Sequence, residues 1–384
     1  MKNDIYYYLE KDEYKSSWLD SVFNSRFIPA KSLDELQGMV RDSKDSPVNL
    51  ACGLTATEVI TTVVRQNPDV LFNVFHLSDE WYELQLAREL YESDNVQRIF
   101  RVYYIPPPFK LIVNTMVFFP VCLAALMMET LRTCIAAQSG RHSLAKQYFS
   151  TVRYALGFIR HTLRGSFFLW SDRVSRKLVF LAPGPNEFFY RGKLQALEGC
   201  GAQEMPPKKY ECSFAGHDHN LYRKNAIPLI KKLDHAFVHT TDDWSLFSKK
   251  SLTEEEYALS ILQSKAVCCA IGHVNAETFR LYEVLEGGAA PLGITHSVYQ
   301  PYDYYKMFLG VSMMPKSTFT FRGAINLWTK KQQCVEQHQQ VMHETYRDHV
   351  AKVRVEFLNA AKRERGRPLA VGDQTQITPS SFSA

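Results

Sequence analysis

The sequence predicts an α/β protein made of two Rossmann-like domains that face each other across a cleft. Residues 48–110 alternate apolar, strand-type runs with helical patterns, and residues 210–294 repeat this alternation. Between the two regions, "LEGCGAQEMPPKKY" (197–210) has the glycine and proline content of a linker. In such sheets ligands bind at the carboxyl ends of strands, close to helix N-termini. We therefore expect functional residues in the short segments that follow strands.

The composition agrees with a globular protein and limits the classes of ligand. The chain has 384 residues, enough for two domains of ordinary size, and it is 46% hydrophobic and 22% charged. Its net charge of +5 suits an anionic ligand but is far below that of a nucleic-acid-binding protein, so nucleic acid is not an expected partner. The eight cysteines include no C-x-x-C pair, so the sequence indicates neither a zinc ribbon nor a disulfide scaffold.

The first region begins with the strand-type run "VNLACGL", which a helical pattern near 55–65 follows. "VLFNVFHLSDEW" predicts the next strand and its turn, and a helix is expected near 82–91 before the strand "VQRIFRVYYI". Residues 107–177 then interrupt the alternation and are expected to form a mostly helical insertion. "KLVFLAPGPNEF" (177–188) returns the chain to a strand and a tight turn.

Within the insertion, residues 111–128 ("LIVNTMVFFPVCLAALMM") form an apolar run that is nearly long enough to span a bilayer. A basic, aromatic-rich stretch, "RYALGFIRHTLRGSFFLW" (153–170), comes after it. We favour a buried strand followed by a helix for the apolar run. The alternative is a peripheral membrane contact through residues 111–170, in which Arg and Lys face anionic headgroups.

The second region starts with the strand "YECSFAG" and a helix expected over 221–233. Thr253 and Glu256 have the spacing of a capping box at the start of another helix. After the strand-type run "KAVCCAIGHVN", the segment "ETFRLYEVLEGGAAPLGI" (277–294) predicts a helix over about 276–286, a stop at two glycines and a second strand. A strand, a helix and a strand in this order form a βαβ unit, so the two strands should be parallel.

The rest of the chain sets the expected domain boundaries. A long amphipathic helix is predicted over about 327–365, and the polar tail after it is predicted to be disordered. The expected organisation is an N-terminal domain over 1–198 with its insertion at about 107–177, a linker at 199–209, a second domain over 210–330, a C-terminal helix over 331–365 and a tail over 366–384.

Three charged residues share one ridge of the helix in "ETFRLYEVLE". Glu277, Arg280 and Glu283 lie at steps of three along the chain. One interpretation is an ordinary surface ladder of ion pairs, which is common and weak. The other is a nucleotide site, in which Arg280 binds diphosphate oxygens and Glu283 accepts hydrogen bonds from two neighbouring ribose hydroxyls.

The segment "FAGHDHNLYRKN" (214–225) follows the first strand of the second region. Gly216 ends that strand, and Arg223 and Lys224 lie near the first turn of the next helix, where cations can bind a diphosphate. Three possible metal ligands at 217–219 suggest a metal site as an alternative. Adjacent residues of one loop rarely complete such a site, and no second cluster supports them.

"GHVN" (272–275) is the end of the strand-type run that precedes the charged ridge. The backbone N–H groups of Gly272 and His273, and the helix start at Asn275, are placed to receive the anionic part of a ligand. We include these three residues among the candidate ligand-binding residues, together with Glu277 of the ridge.

"HLSDEW" (76–81) follows a strand of the first region. His76, Asp79 and Glu80 are candidates for a general base because their side chains accept protons and lie at the end of a strand. The alternative is that Ser78 or Asp79 caps the next helix. The sequence leaves both interpretations open.

In this order, the segments resemble the exostosin-type glycosyltransferases. "ETFRLYEVLEGGAAPLGI" is similar to the family's donor-site motif, in which Ser or Thr precedes Phe, Arg, Leu, Tyr and Glu, and small residues lead to a proline-containing strand. "HLSDEW" with "RIFRVYY" resembles an acceptor-side segment, and "SFAG…RKN" resembles the start of the nucleotide-binding domain. "LTEEEYALSILQSKAVCCAIGHVNAETFRLYE" is similar to the run through the donor helix. The resemblance covers roughly residues 70–105 and 208–330.

The resemblance implies a GT-B architecture, with two Rossmann-like domains and a C-terminal helix that crosses back. The implied reaction is inverting transfer of a sugar from a nucleotide sugar, above all a UDP-sugar, to a hydroxyl of a glycan or glycoconjugate. No metal or other cofactor is expected, because protein cations and helix dipoles replace it.

The resemblance also implies roles for single residues. Arg280 matches the motif's arginine and is expected to contact the diphosphate, and Glu283 matches its glutamate and is expected to hold the ribose. Arg223 matches a phosphate-side basic residue. Contacts with the donor sugar or the diphosphate are expected from Asn275 and Glu277.

The expected catalytic base is Asp79 or Glu80.

Two departures from the family concern the acceptor side and the donor helix. About seventy residues at 107–177 replace a short connection, and "EGGAAPLG" replaces the more usual Ala-Gly-Cys-Ile-Pro pattern. The long insertion suggests an unusual acceptor or a membrane surface. Two other classes remain open, a metal-dependent phosphoesterase at "GHDH" and a non-catalytic carbohydrate- or partner-binding protein that would tolerate Asp79→Asn and Glu80→Gln.

The N-terminal segment "MKNDIYYYLEKDEYKSSW" is charged and lacks an apolar core, so no signal peptide is visible in it. A cytoplasmic or membrane-peripheral location is therefore favoured. The resemblance makes the Golgi an alternative, because members of the family commonly carry an N-terminal anchor and work there.

Overall fold

The computed structural model places its residues in two compact units. The first unit comprises Met1–Pro108, His161–Pro183 and Arg347–Ser380, and the second comprises Phe109–Arg160, Gly184–Tyr346 and Ser381–Ala384. The structure describes residues 4–8, 17–43, 47–53, 56–77, 87–137, 141–199, 205–217, 221–241, 251–269, 279–293, 298 and 320–361. Residues 109–160, expected within the N-terminal domain, thus belong to the second unit.

Strands and helices alternate along much of the described chain. The strands are β1 (Ile5–Tyr8), β2 (Phe27–Ala30), β3 (Val48–Cys52), β4 (Phe72–His76), β5 (Val96–Val102), β6 (Leu178–Leu181), β7 (Tyr210–His217), β8 (Phe237–Thr241), β9 (Ser264–Cys268) and β10 (Ala290–Leu292). The helices are α1 (Ser17–Phe23), α2 (Leu33–Asp42), α3 (Thr57–Gln66), α4 (Arg88–Glu92), α5 (Pro108–Ala137), α6 (Arg141–Leu169), α7 (Asp172–Ser175), α8 (Glu187–Gly199), α9 (Leu221–Ile230), α10 (Glu254–Leu262), α11 (Phe279–Glu286), α12 (Phe321–Lys330) and α13 (Gln332–Ala361).

Within its described residues, the first unit contains a six-stranded parallel sheet in the order β2-β1-β3-β4-β5-β6. β3 and β4 pair from Val48 opposite Phe72 to Cys52 opposite His76, and every residue of both strands is buried. Continuous burial is expected for parallel strands that are covered on both faces. The position of β1 between β2 and β3 is typical of doubly wound, Rossmann-like sheets.

Four phenylalanines from distant parts of the sequence form an aromatic core in the first unit. Phe75 of β4 and Phe100 of β5 stack with ring centroids 4.6 Å apart. Phe357 of α13 meets Phe23 and Phe75 edge to face, at centroid distances of 5.0 Å and 5.5 Å. The end of the C-terminal helix is therefore part of this core, and such aromatic pairs add stability beyond simple burial.

The described part of the second unit contains a four-stranded parallel sheet in the order β10-β9-β7-β8. β9 and β10 are parallel neighbours and α11 joins them, which confirms the predicted βαβ unit. β7 begins at Tyr210, as the run "YECSFAG" predicted. The structure is thus α/β with parallel sheets in both units, and both sheets are compatible with Rossmann-like domains.

Helix α11 ends as the two glycines predicted. Gly288 has φ +60°, a left-handed conformation that glycine adopts without strain. Its N–H donates to the Leu285 carbonyl at 3.2 Å, and the Ala289 N–H donates to the Val284 carbonyl at 3.1 Å. This pair of bonds is a Schellman motif, which satisfies the last carbonyls of the helix and turns the chain into β10.

Helices α8 and α10 pack very closely. A Cβ added to Gly192 of α8 would lie 1.9 Å from the Glu254 carbonyl oxygen at the start of α10, so this contact requires glycine. The predicted capping box of α10 is confirmed: the Thr253 hydroxyl accepts from the Glu256 N–H, and the Glu256 carboxylate accepts from the Thr253 N–H. Both features fix where α10 begins.

The insertion is mostly helical, as predicted, but the expected strand within it is wrong. α5 runs unbroken through the apolar residues 111–128, including Pro120. Leu111, Cys122 and Leu126 of this helix are buried, whereas much of its remaining surface is exposed. A run that is apolar on every side has no helical periodicity, so its pattern did not distinguish helix from strand.

The C-terminal helical region differs from its prediction in one detail. The helix expected over 327–365 is two helices, because α12 ends at Lys330 and α13 starts at Gln332. α13 ends at Ala361, and the predicted tail lies outside the described residues. The helix expected over 221–233 is α9, which ends at Ile230.

Candidate functional site

The carboxyl ends of β7 and β9 lie side by side in the middle of the second unit's sheet. β7 has β8 on one side and β9 on the other, so the direction of strand order reverses at β7. In doubly wound sheets a ligand-binding crevice lies outside the strand ends at this switch point. β7 ends with Gly216 and His217, and β9 ends with Cys268. The candidate site is built around these ends.

Arg280 of α11 is anchored to the backbone at the end of β7. Its Nη2 donates to the Ala215 carbonyl oxygen at 2.6 Å. The adjacent Gly216 has φ +143°, and a Cβ at this position would lie 3.6 Å from Arg280 Nη2. Because other residues rarely adopt this φ, glycine lets the strand end pass close to the guanidinium without strain.

Arg280, Glu283 and Tyr257 form a buried polar cluster. Arg280 Nε donates to Glu283 Oε2 at 3.1 Å, and the Tyr257 hydroxyl donates to the same oxygen at 2.6 Å. The guanidinium carbon of Arg280 lies 5.1 Å from the centroid of the Tyr257 ring, a cation–π contact. The Arg280 and Glu283 side chains are 18% and 1% exposed, so this pair is not the surface ladder that spacing alone allowed.

Burial and charge pairing act in opposite directions on the pKa values of this cluster. Burial raises the pKa of Glu283; Arg280, the Tyr257 hydroxyl and the Asn186 backbone N–H offset only part of this effect. Burial alone would lower the pKa of Arg280, but Tyr257 and Glu283 outweigh it and the pKa is raised. Burial also raises the pKa of Tyr257 well above its usual value, so it remains a hydrogen-bond donor at neutral pH.

A second guanidinium, that of Arg223 in the first turn of α9, adds positive charge to the site. Its Nη1 donates to the His217 carbonyl oxygen at 2.8 Å, at the end of β7. Burial, and then the charge of Arg280, lower the pKa of Arg223 to about 10, so it stays protonated at neutral pH. Among the described residues of the site, two guanidinium groups beside one carboxylate leave a positive excess, which suits an anionic ligand.

The second carboxylate oxygen of Glu283 is an acceptor with spare capacity. Among the described residues, Oε1 is buried and makes no hydrogen bond of ordinary geometry. The backbone N–H of Asn186 nevertheless lies near enough to the carboxylate to lower its pKa. A buried acceptor of this kind is unfavourable unless a further donor reaches it. A ligand hydroxyl is one group that would meet this need.

The structure brings some of the predicted site residues together and leaves others outside its description. Those that meet at the switch point are Gly216, Arg223, Arg280 and Glu283. Lys224 follows Arg223 on α9 and its side chain is exposed. The roles of the remaining acceptor-side and donor-side residues stay predictions because they lie outside the described residues: Asp79, Glu80, Gly272, His273, Asn275 and Glu277.

His76 ends β4 in the first unit and is fully buried. Its Nδ1 lies 2.6 Å from the Tyr91 hydroxyl and 3.2 Å from Arg101 Nη1, which also donates to Tyr91. Burial, and then the charge of Arg101, lower the pKa of His76 well below its usual value. The imidazole is therefore neutral, the protonation state that a general base requires, and its role stays a prediction.

The described residues contain no group of three or more His, Cys, Asp or Glu side chains arranged to hold a metal ion. Of the proposed "GHDH" ligands, His217 is described, and its carbonyl accepts a hydrogen bond from Arg223. Asp218 and His219 lie outside the described residues.

Sequence patterns did not identify Tyr257 and Asn186, two residues that act on the Glu283 carboxylate. Tyr257 lies in "LTEEEYALSIL", 26 residues before its partner Glu283, and the packing of α10 against α11 brings the two together. Asn186 directly precedes α8 and its Oδ1 accepts from the Phe189 N–H at 2.7 Å, so the local signal for this residue is an Asn at a helix N-cap position.

Fold and site together define an α/β protein with a partly buried site at the switch point of a parallel sheet, and the described residues of that site carry more positive than negative charge. Residues 193–359 match the family model of the RXYLT1 C-terminal domain, and this range includes every strand of the second sheet. That family is related to exostosin-like glycosyltransferases, so the match supports a glycosyltransferase-type function, in agreement with the motifs. No curated protein and no solved structure matches the chain significantly.

Proposed function

We propose that this chain is an inverting glycosyltransferase of the GT-B class that transfers a sugar from a UDP-sugar to a hydroxyl of a glycan or glycoconjugate. The observation that carries the proposal is the cluster of Arg280, Glu283 and Arg223 at the carboxyl ends of β7 and β9. The family match of residues 193–359 supports the same class of reaction.

The two arginines are suited to the diphosphate of the donor. Both guanidinium groups remain protonated at neutral pH, since the pKa of Arg280 is raised and that of Arg223 is about 10. Their hydrogen bonds to the carbonyls of Ala215 and His217 hold them in place before a ligand arrives. Cations held in this way stabilise the negative charge that develops on a leaving diphosphate without reorganising during the reaction.

Glu283 is suited to the ribose of the donor. Oε2 is occupied by Arg280 and Tyr257, whereas Oε1 has no hydrogen bond of ordinary geometry within the described chain. A ribose hydroxyl that donates to Oε1 would satisfy this oxygen and place the diphosphate next to the arginines. One acidic acceptor beside two cations is thus complementary to a nucleoside diphosphate.

The chemical step is a single displacement. The acceptor hydroxyl oxygen attacks the anomeric carbon, and the bond from that carbon to the diphosphate oxygen breaks, with its electron pair leaving on the diphosphate. The hydroxyl proton passes to a base, for which we propose Asp79 or Glu80 after β4. One displacement at the anomeric carbon inverts its configuration.

The first donor to test is UDP-xylose, because the matched family is one of xylosyltransferases. Slow hydrolysis and binding are measured across UDP- and GDP-sugars, with and without EDTA, for wild type and Arg280→Ala. We expect one UDP-sugar to bind and turn over in EDTA and Arg280→Ala to lose both properties. The matched control is Arg65→Ala, which breaks an exposed ion pair with Glu89 and should leave turnover unchanged.

Two other outcomes would replace this proposal. Turnover that needs added metal and survives Arg280→Ala would favour a metal-dependent phosphoesterase. Donor or glycan binding without turnover, unaffected by Asp79→Asn and Glu80→Gln, would favour a non-catalytic carbohydrate-binding protein on the same fold.

A further inference from the structure

Helix α5 carries an exposed apolar stripe along one face. Every residue of the helical series 109, 113, 116, 120, 124, 127 and 131 is apolar and exposed. Phe109 and Met116 are 80% and 74% exposed, among the largest values for hydrophobic side chains of the described chain. At 1.5 Å per residue the stripe is about 33 Å long. Apolar patches of this extent on a soluble protein mark an interaction surface.

The opposite face of α5 is packed on the core of the second unit. Cys122 and Leu126 are buried in one cluster with Phe214 of β7, Cys268 of β9 and Trp328 of α12. The helix is therefore fixed directly on the sheet that carries the candidate site. Because the opposite face of α5 is packed in this core, the orientation of the stripe toward the outside is fixed.

The segment that carries the stripe has a large excess of positive charge. Residues 108–169, which contain α5 and α6, include seven Lys and Arg but a single acidic residue, Glu129. This excess is larger than the net charge of +5 of the whole chain. Lys110, Arg153 and Arg160 are exposed, and Tyr154 of α6 is 69% exposed beside Arg153 in sequence. A long apolar surface with cations and aromatic side chains is the combination that binds an anionic lipid surface.

We infer that α5 lies in the plane of an anionic membrane surface and docks the second unit on it, with its stripe among the acyl chains and the nearby cations at the headgroups. The occupant of the stripe is lipid and not a second copy of this chain, because two copies would bring the same basic regions together. An acidic partner protein would meet the charge but is not needed to explain a stripe of such length.

An in-plane helix fits the structure better than one that crosses the bilayer. Among the described residues, one helical segment, Pro108–Met128, is long and apolar enough to cross a membrane. Crossing would surround the helix with lipid and remove Cys122 and Leu126 from the protein core. Docking in the plane keeps that core intact and buries only the exposed face.

The test is co-sedimentation of the purified full chain with vesicles of phosphatidylcholine alone and of phosphatidylcholine with phosphatidylserine. The variant Met116→Gln/Met127→Gln/Leu131→Gln removes three exposed members of the stripe with little change in helix propensity. The matched control, Leu194→Gln/Met205→Gln/Val341→Gln, changes three exposed apolar residues elsewhere in the same unit. Circular dichroism verifies that both variants keep the wild-type helix content.

We expect wild type and the control to bind phosphatidylserine vesicles, more weakly at high salt, and to be released by alkaline carbonate. The stripe variant should bind at least about tenfold more weakly to both kinds of vesicle. Arg153→Gln/Arg160→Gln should weaken binding to phosphatidylserine vesicles alone.

Three results would overturn the inference. One is the absence of vesicle binding by wild type. If wild type then proves to be a dimer and the stripe variant a monomer, the stripe is an interface between two copies of the chain. Another is equal vesicle binding by the stripe variant and its control. The third is resistance to carbonate extraction, which would indicate a helix that crosses the bilayer.

Discussion

Arg280 Nε and Glu283 Oε2 lie 3.1 Å apart in an ion pair whose side chains are 18% and 1% exposed. The pair is held at the switch point of the second sheet by Tyr257 on one side and by the Ala215 carbonyl on the other. The same two side chains therefore stabilise the second unit and form part of the proposed donor site.

Breaking this pair should destabilise the protein strongly. Glu283→Ala leaves the Arg280 guanidinium without its carboxylate in a buried site, and we expect a loss of roughly 3 to 5 kcal/mol in the free energy of unfolding. Urea denaturation provides the measurement. The control Glu89→Ala removes the acid of the exposed Arg65–Glu89 pair and should change stability by less than about 1 kcal/mol. Equal losses in the two variants would mean that the Arg280–Glu283 pair is a surface ion pair in solution.

Any side chain at position 192 should destabilise the protein. In Gly192→Ala the new Cβ would lie 1.9 Å from the Glu254 carbonyl oxygen, so α8 and α10 must separate. We expect a loss of roughly 1 to 3 kcal/mol in thermal or urea unfolding. Gly38→Ala is the opposite case, since no atom lies within 4 Å of an added Cβ in α2, and it should stabilise by about 0.5 to 1 kcal/mol. A stabilising Gly192→Ala would contradict the observed helix contact.

Phe357 should contribute to the core of the first unit. Its ring contacts those of Phe23, Phe75 and Phe100, and Phe357→Ala should lower the free energy of unfolding by roughly 3 to 5 kcal/mol. Val355→Ala, two residues earlier on the exposed side of α13, should change it by about 0.5 kcal/mol or less. If both substitutions were neutral in urea denaturation, α13 would not pack on this core.

His349 should make stability fall in mild acid. It is 6% exposed, and burial, followed by the charge of Lys352, lowers its pKa from 6.5 to about 4. Since the unfolded chain binds the proton first, the stabilising effect of neutral His349 is complete above pH 6.5 and is lost as the pH falls toward 4. The shift corresponds to about 3 kcal/mol.

The measurement for His349 is urea denaturation from pH 7 to pH 4.5. His349→Asn should flatten the dependence of unfolding free energy on pH, whereas His161→Asn, at an exposed position of α6, should leave the slope as in wild type. Identical slopes in all three proteins would exclude His349 as a source of the acid sensitivity.

Local patterns predicted the parts of the fold that depend on neighbouring residues. The spacing of Thr253 and Glu256 identified the start of α10, and Gly287 and Gly288 identified the end of α11, because caps and stops are local interactions. The parallel pairing of β9 and β10 also followed, since a short βαβ connection has few alternatives.

Features that depend on tertiary packing were beyond sequence patterns. Glu283 is buried and accepts a hydrogen bond from Tyr257, 26 residues away, whereas ridge spacing alone is equally compatible with an exposed ladder. Residues 111–128 are apolar on every side, so neither their helical state nor the exposure of one face could be predicted from periodicity. The switch-point position of Arg280 became visible only with the strand order.

The most direct test of the proposed donor site is calorimetric titration of UDP into wild type, Arg280→Gln and the exposed control Arg65→Gln in the presence of EDTA. Wild type and Arg65→Gln should bind UDP with the same affinity, and Arg280→Gln should bind at least about tenfold more weakly because a charged contact to the diphosphate is lost. Equal UDP affinity in all three proteins, or no binding by wild type, would contradict the assignment of a nucleotide-sugar site to the Arg280–Glu283 pair.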